Sequence, residues 1–502
     1  MIFYEYCDRI VAGIQSGRGM KTMAILENLE PKEVFHYFEE LSQIPRGTFN
    51  TKEVSDYCVK FANDRGLEVI QDEINNVIIK KPGTKGYEES DPVIIQGHLD
   101  MVCEKTELSD HDFTKDPLDI YVEDGYVKAV DTTLGADDGI AVAMALALLD
   151  SSDIPHPPLE AIFTVDEEVG MGGAEGIDLS PINGKMLINL DSEDEDTIIA
   201  GCAGGLSFRL NLPIGRKSLT GDCLEVVVRG LKGGHSGQEI DQQRGNANKL
   251  AGRLLNRLNE TMDIALSDVQ GGAKDNVIPS SCKFTIVVHD SIKAEVIIEN
   301  MLNIWKQEFG ADEPDLDVVV TKTENTEKSV MTDMDMKKVI FFMNNCQNGV
   351  YGFSRSLKGL VETSDNLGVV TTEEGKVSFV LLIRSSVSSK LDELKEAFIS
   401  WAEFLGGTYE LSGAYPAWMY KENSRIRPIV AEVFERVYGR KPNISTIHAG
   451  LECGLLSGKK PELDCVSIGP KMFDIHSVNE RLDIASTGRM WNLMKEILKE
   501  CK

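Results

Sequence analysis

Basic residues are scarce in this chain: 52 Lys and Arg stand against 81 Asp and Glu, a formal net charge of −29. Nucleic acid and anionic membrane surfaces both reward a basic face, so neither is an expected partner. No stretch of 18 or more apolar residues occurs, so no membrane-spanning helix is expected. The first 22 residues lack the basic start, apolar centre and small-residue cleavage site of a secretory signal. They read as an N-terminal extension of unknown role, and a helix beginning at Met23 makes Met20 or Met23 an alternative start. The ten cysteines (Cys7, Cys58, Cys103, Cys202, Cys223, Cys282, Cys346, Cys453, Cys465 and Cys501) include no CxxC pair. In a large acidic chain without an export signal they read as reduced thiols, none a nucleophile, and the expected location is cytoplasmic. Proline is sparse too, at 17 of 502 residues, while 42% of the chain is hydrophobic, which suits a well-packed protein of two or three domains.

What is present alternates between helical and strand patterns. PKEVFHYFEELSQI places Val34, Phe38, Leu41 and Ile44 on one stripe, and TKEVSDYCVKFANDRG is a second helix stopped by Gly66. The β-type runs LEVIQDE, NVIIKK and PVIIQG follow, then the helix ADDGIAVAMALALLD and the strands LEAIFTVDEE and KMLINLD. This order predicts an α/β sandwich around a largely parallel sheet, in which ligands gather beyond the carboxyl ends of the strands. After Gly201–Gly205 the texture changes. Two rounds of strands and helices, from LEVVVRG to KVSFVLLIRSS, predict an inserted α+β domain over 205–404 and suggest a duplicated four-strand, two-helix unit. The first domain resumes near Glu403–Tyr409, so 23–204 and 405–502 are read as its two parts.

The stretch PVIIQGHLDMV (92–102) carries the first candidate chemistry. If its strand continues through Asp100, a period of two puts His98 and Asp100 on one side. An imidazole is a common zinc ligand, and a neighbouring carboxylate can orient it. Four further pieces fit. In LGADDGIA, Asp137-Asp138 precede an apolar helix; an aspartate there ordinarily caps the helix, but one acid suffices and the second is spare. Glu167 and Glu168 follow a strand in FTVDEEVG, where adjacent residues face opposite ways, so that one can bind metal and the other act as a base; a solvated acidic loop is the plainer alternative. Asp191 ends the strand KMLINLD, and His476 lies in a loop of IGPKMFDIHSVNERLDI. His98, Asp137, Glu168, Asp191 and His476 form an N/O donor set without thiolates, which suits two catalytic divalent ions, zinc foremost, with cobalt or manganese also compatible.

The series GHLDMV, LGADDGIA, DEEVG, INLDSEDE, CAGG, LKGGHSGQEI, NVIPS, HAGLECG and SIGP…HS closely resembles the aminoacyl-histidine (Xaa-His) dipeptidases of the two-zinc aminoacylase and carboxypeptidase clan, from about Leu29 to the C-terminus. The resemblance implies a three-layer α/β/α zinc-peptidase catalytic domain with an inserted α+β lid or dimerisation domain. It implies that His98, Asp137 and Asp191 hold one ion, that Asp137 bridges to a second held by Glu168 and His476, and that a cis peptide joins Asp137 to Asp138. Asp100 then orients His98, and Glu167 is the general base toward a metal-activated water. His235 becomes a donor to the tetrahedral oxyanion, from a lid or a partner subunit. Asn276 and Arg384 bind the substrate end or its carboxylate, for which the arginine fork is suited, and Gly450 and Glu452 line the pocket. Asp191, where deacylase-like members of the clan carry glutamate, favours a free-amine substrate. The implied activity is hydrolysis of Xaa-His, carnosine-like and other unmodified dipeptides, with a homodimer through the lid as an expected assembly. The alternatives are a clan sibling acting on N-acyl amino acids or tripeptides, and a non-catalytic peptide-binding protein on the same fold. His36, His111, His156 and His289 read as surface or packing histidines.

Overall fold

Alternation along the central strands sorts their side chains into two apolar layers. Ile79, Val93, Ile95, Phe163 and Ile188 pack under the helices Lys32–Ser42, Lys52–Asp64, Ala136–Asp150, Ile426–Tyr438 and Ile484–Glu500. Their neighbours Ile78, Ile94, Ile162 and Leu187 point the other way, onto Ala174 and Leu456 of the short helices Gly172–Gly176 and Glu452–Lys459. The result is a three-layer α/β/α sandwich. The computed structural model describes residues 25–502, so the 1–22 extension lies outside the described residues; of the helix expected from Met23, residues 25–31 are described and form bends and turns, and the first helix begins at Lys32.

The eight strands lie in the order Glu68–Gln71, Val77–Lys81, Leu159–Thr164, Val93–His98, Met186–Asn189, Asp464–Ser467, Thr197–Cys202, Asn443–Ile447. Val93–His98 runs parallel to both of its neighbours, Leu159–Thr164 and Met186–Asn189. The carboxyl ends of these three central strands therefore open on one edge. The helix Ala136–Asp150 is apolar on all sides and buried from Ala136 to Leu149, as befits a helix covered by both sheet and helices. It lies close on the sheet: a methyl group on Gly97 would stand 2.8 Å from Cβ of Ala141.

The second sheet has nine strands, all pairings antiparallel. The ninth, Gly349–Phe353, pairs with Val361–Glu373, and the other eight form two units of the same topology. One comprises Arg216–Arg229, the helix Ala247–Thr261, Ile264–Gly271, Cys282–Val288, the helix Ser291–Phe309 and Asp317–Met331. The other comprises Gly204–Pro213, the helix Asp333–Asn345, Val361–Glu373, Lys376–Ser385, the helix Ser388–Leu405 and Thr408–Tyr415. In each, the fourth strand lies beside the first, then come the third and the second. The units meet edge to edge where Gln270 and Gly271 face Thr371 and Val370. Thr408–Tyr415, assigned by its sequence to the resumed first domain, instead pairs with Gly204–Pro213 at the margin of this second sheet. An exposed edge strand carries no burial pattern that says which sheet it joins, and the central sheet is regained only at Asn443.

A small antiparallel sheet joins Ile120–Glu123 and Tyr126–Ala129 to the hairpin of Met472–Phe473 and Arg481–Asp483. His476 stands in the turn of that hairpin, with φ 59°. Among the described residues, no helix is long and apolar enough to cross a membrane.

Candidate metal centre

The three central strands each deliver a functional segment just beyond their ends. His98 is the last residue of its strand, so Asp100 follows in the loop and not on a continued strand. Glu167 and Glu168 likewise lie in a turn beyond Thr164, entered through Asp166 at φ 53°, and their separation comes from that turn and not from strand alternation. Asp191 follows Asn189.

Asp137 stands between the two imidazoles. Its Oδ1 is 3.1 Å from Nε2 of His98, and its Oδ2 is 3.2 Å from Nε2 of His476. Asp191 Oδ1 is 3.7 Å from His98 Nε2, and Glu168 Oε2 is 3.0 Å from His476 Nε2. Two donors about 2.0–2.2 Å from one tetrahedral zinc stand about 3.4 Å apart, so these spacings suit donors that share an ion. His98, Asp137 and Asp191 form one such group and Asp137, Glu168 and His476 another, with Asp137 common to both; His98, Glu167 and Glu168 form a third across the centre.

The electrostatics of the centre call for cations. Burial alone would push the His98 imidazole down, but Asp100, Asp137 and Asp191 outweigh it and hold it well above its ordinary range. His476 is raised to about 11 by Asp137 and Glu168. Burial raises Asp191 to about 7 and holds Glu167 and Asp138 well above the usual carboxylate range, with neighbouring carboxylates adding to each. Glu168 Oε1 and Asp138 Oδ1 are buried without a partner. Six carboxylates, two imidazoles and unpartnered oxygens fit two divalent ions better than they fit one another.

Asp137 and Asp138 do not cap the following helix. Both have non-helical φ/ψ, the peptide between them is cis, and neither supplies a cap. Asp138 Oδ2 accepts the backbone N–H of His98 at 3.2 Å. Asp100 carries more than one contact: its backbone oxygen lies 3.2 Å from His98 Nδ1 and its carboxylate 3.4 Å. That carboxylate also accepts the N–H groups of Glu167 and Glu168 at 3.0 and 3.3 Å and the Thr48 hydroxyl at 2.9 Å. Glu167 Oε2 is 4.0 Å from His98 Nε2 and binds neither His476 nor Asp137.

A second group of side chains gathers where the two sheets meet. Nδ1 of His235 accepts the N–H groups of Gly237 and Gln238 at 3.2 and 3.0 Å, which leaves the ring proton on Nε2. Burial and the Arg384 charge hold this imidazole below its ordinary range. A methyl group on Gly237 would meet the His448 carbonyl oxygen at 2.3 Å, His235 Cε1 at 3.0 Å and Arg384 Cζ at 3.3 Å, so the three residues crowd one point. Arg384 donates to the Tyr415 hydroxyl at 2.6 Å and keeps a buried Nε without a partner. Asn276 is adjacent through its carbonyl, which accepts the Ser236 N–H at 2.9 Å. Gly450 lies against Tyr415 and Met171, and Met171 N–H returns to the Glu167 carbonyl at 2.9 Å, which joins this group to the metal centre. All of it comes from one chain.

Glu452, expected from the resemblance to line the pocket, lies beneath the centre. It is fully buried, its Oε2 accepts Gln96 Nε2 at 2.5 Å and the Thr164 hydroxyl at 2.7 Å, and its Oε1 is buried without a partner. Four residues that the sequence reading passed over belong here: Arg46, Tyr415, His448 and Glu480. His448 lay in plain sight in HAGLECG; its Nε2 meets the Ser364 hydroxyl across the junction at 2.7 Å. Burial, then Arg384 and His235, lower it to about 3, so it is neutral at ordinary pH.

The model of peptidase family M20/M25/M40 matches residues 94–500. The cytosol non-specific dipeptidase of Escherichia coli (strain K12) is 39% identical over 484 residues, covering 95% of this chain and 99% of that one. The crystal structure of aminoacylhistidine dipeptidase from Vibrio alginolyticus superposes with a TM-score of 0.88 at 38% identity, covering 97% of this chain and 99% of the other. Aminopeptidase PepT from Bacillus cereus shares the fold alone, with a TM-score of 0.53 at 18% identity over 94% of this chain and 99% of that chain.

Proposed function

The chain belongs to the M20/M25/M40 peptidase family, and from that premise we propose that it is a metal-dependent dipeptidase, working in the cytoplasm on unmodified dipeptides, those of Xaa-His type included. The names of the two full-length relatives support the substrate class and the location. The observation that carries the reading is Asp137 set between His98 and His476, with Asp191 and Glu168 completing two donor groups. In this reading His98, Asp137 and Asp191 hold one divalent ion, and Asp137, Glu168 and His476 the other, zinc being the first choice for such donors. When bound, the ions polarise the scissile carbonyl and make the attacking water more acidic.

The chain's own residues do the rest. Glu167, which lies beside His98 and Glu168 but is not one of the residues that Asp137 joins, takes a proton from the water and delivers it to the leaving amine. A carboxylate suits both tasks when burial lifts its basicity, as it does here. Asp100 holds His98 and the Glu167–Glu168 turn in one frame. His235, with its proton on Nε2, donates to the developing oxyanion. Arg384 pairs with the substrate carboxylate, with Asn276 and Gly450 shaping that end. Residues 205–404, with the strand Thr408–Tyr415, act as a lid that closes over the centre formed by 25–204 and the C-terminal segment.

The test is hydrolysis of β-Ala-His, Gly-His, Ala-Ala and their N-acetylated forms, each with and without a chelator. Chelator-sensitive cleavage of the free dipeptides alone is expected. Cleavage restricted to the acetylated forms would move the protein to the deacylase branch, and no turnover with any divalent metal would leave a peptide-binding protein.

A further inference from the structure

Glu480 is buried, yet its carboxylate makes no contact with a side-chain donor; it closes over four backbone N–H groups in a row. Oε2 accepts from Leu134 at 2.7 Å and Gly135 at 2.9 Å, and Oε1 from Ala136 at 2.7 Å and Asp137 at 3.4 Å. Those of Gly135, Ala136 and Asp137 are donors that the start of the helix Ala136–Asp150 leaves free, Leu134 lies just before it, and no residue of that helix's own sequence caps them. A carboxylate at such a helix start is favoured by the positive end of the dipole as well as by the hydrogen bonds.

The placement links two ligand-bearing segments. Glu480 lies four residues after His476, in the same hairpin, while the backbone it holds is the one that presents Asp137. His476 Nε2 and Asp137 Oδ2, 3.2 Å apart, therefore hang from the two sides of one clamp. Arg46 extends it on the far side. Its guanidinium donates to the carbonyls of Leu99 and Asp100 at 3.0 Å each and to that of Gly135, and Glu480 is the strongest of the carboxylates acting on it. The segments 98–100, 134–138 and 476–480 are thus fastened by one buried acid and one buried base, neither within the donor groups.

We propose that Glu480 is a positioning residue that sets Asp137 in its bridging orientation and couples the two metal positions, so that the site held by Asp137, Glu168 and His476 cannot fill normally without it. The inference rests on the two-ion reading of the centre. Outer groups that orient ligands commonly change metal affinity by about 10- to 100-fold when altered.

The experiment counts ions and needs no substrate. Apo protein is titrated with Co2+, following the visible absorption of the bound ion and the heat of binding, and metal content is measured after dialysis. Glu480→Gln keeps the shape but turns two of the four accepted N–H groups against an amide. Glu160→Gln is the control, since Glu160 makes a similar buried clamp on the Asn183 and Gly184 N–H groups, at 3.0 and 2.8 Å, away from the centre. The expected result is two ions in the wild type and in Glu160→Gln, and binding of one ion weakened by at least about tenfold in Glu480→Gln. Amide exchange at 134–137 should quicken in that variant while 140–149 stays protected. Two ions at unchanged affinity in Glu480→Gln, equal weakening in Glu160→Gln, or fewer than two ions in the wild type would each overturn the proposal. If Glu480→Gln does not fold, Glu480→Asp, which keeps the charge and withdraws it by one methylene, must show the same selective loss. Unchanged metal binding in the variant would leave the dipeptidase reading standing, and a wild type that binds two ions but cleaves no dipeptide would do the reverse.

Discussion

Single side chains in this molecule are set by what burial denies them. Asp365, in the middle of the second sheet, has both carboxylate oxygens buried and unpartnered. Burial pushes it up to about 8, with Lys249 acting in the opposite direction. Between its ordinary value of 3.8 and that raised value the folded chain keeps a proton that the unfolded chain has released. The unfolded state then binds fewer protons, so this group's contribution to stability declines as pH rises from about 4 to about 8. Asp365→Asn stays neutral throughout and is expected to raise the melting temperature at pH 8 and leave it unchanged at pH 4, a comparison made by thermal unfolding. Arg384 makes the second residue-scale prediction. Replacing its planar fork by a point charge in Arg384→Lys should raise KM for free dipeptides by about tenfold or more with kcat little altered. An equal fall in kcat, read from steady-state kinetics, would remove Arg384 from carboxylate binding.

At the scale of elements, the centre depends on how closely helix Ala136–Asp150 and the His98 strand approach each other. Leu146 lies fully buried in that helix, and Leu146→Ala should cost about 2–5 kcal/mol, measured by chemical denaturation. At the junction of the sheets, Gly237→Ala would drive a methyl group toward the His448 carbonyl oxygen, a backbone atom that cannot swing aside. A drop in kcat/KM of about tenfold or more is expected, with metal content unchanged. How far these elements could be read in advance follows from what leaves a trace in sequence. His98, Glu168 and Asp191 stand out because apolar strands stop at or just before them, Asp137 because a doubled acid opens an apolar helix, and His476 only through the motif around it. Thr408–Tyr415 could not be assigned, because an edge strand exposed along its length has no hydrophobic face to declare its sheet. Arg46 and Glu480 left no signal at all. They act on backbone N–H and carbonyl groups far away in the chain, and any buried acid or base in a loop would look the same. Nor does anything in the sequence signal that the Glu452 side chain turns inward to Gln96 and Thr164.

On the scale of the whole molecule, one chain carries two copies of a four-strand, two-helix unit fused edge to edge, and one of them is interrupted by the other. His235, Arg384 and His448 meet within this single chain, although His448 follows the lid in sequence. In the mechanism proposed for this chain, a dinuclear centre at the ends of three parallel strands works with a substrate end supplied by the lid, and Glu167 moves the proton. The most direct test of that claim separates metal binding from proton transfer. Glu167→Gln is loaded with zinc, its ions are counted, and its turnover of an unmodified dipeptide is compared with that of the wild type. We expect two ions per chain in both proteins and a loss of kcat of about 100- to 10,000-fold in the variant. Full metal content with turnover within a few-fold of the wild type would contradict the role given to Glu167 and, with it, the mechanism proposed for this chain.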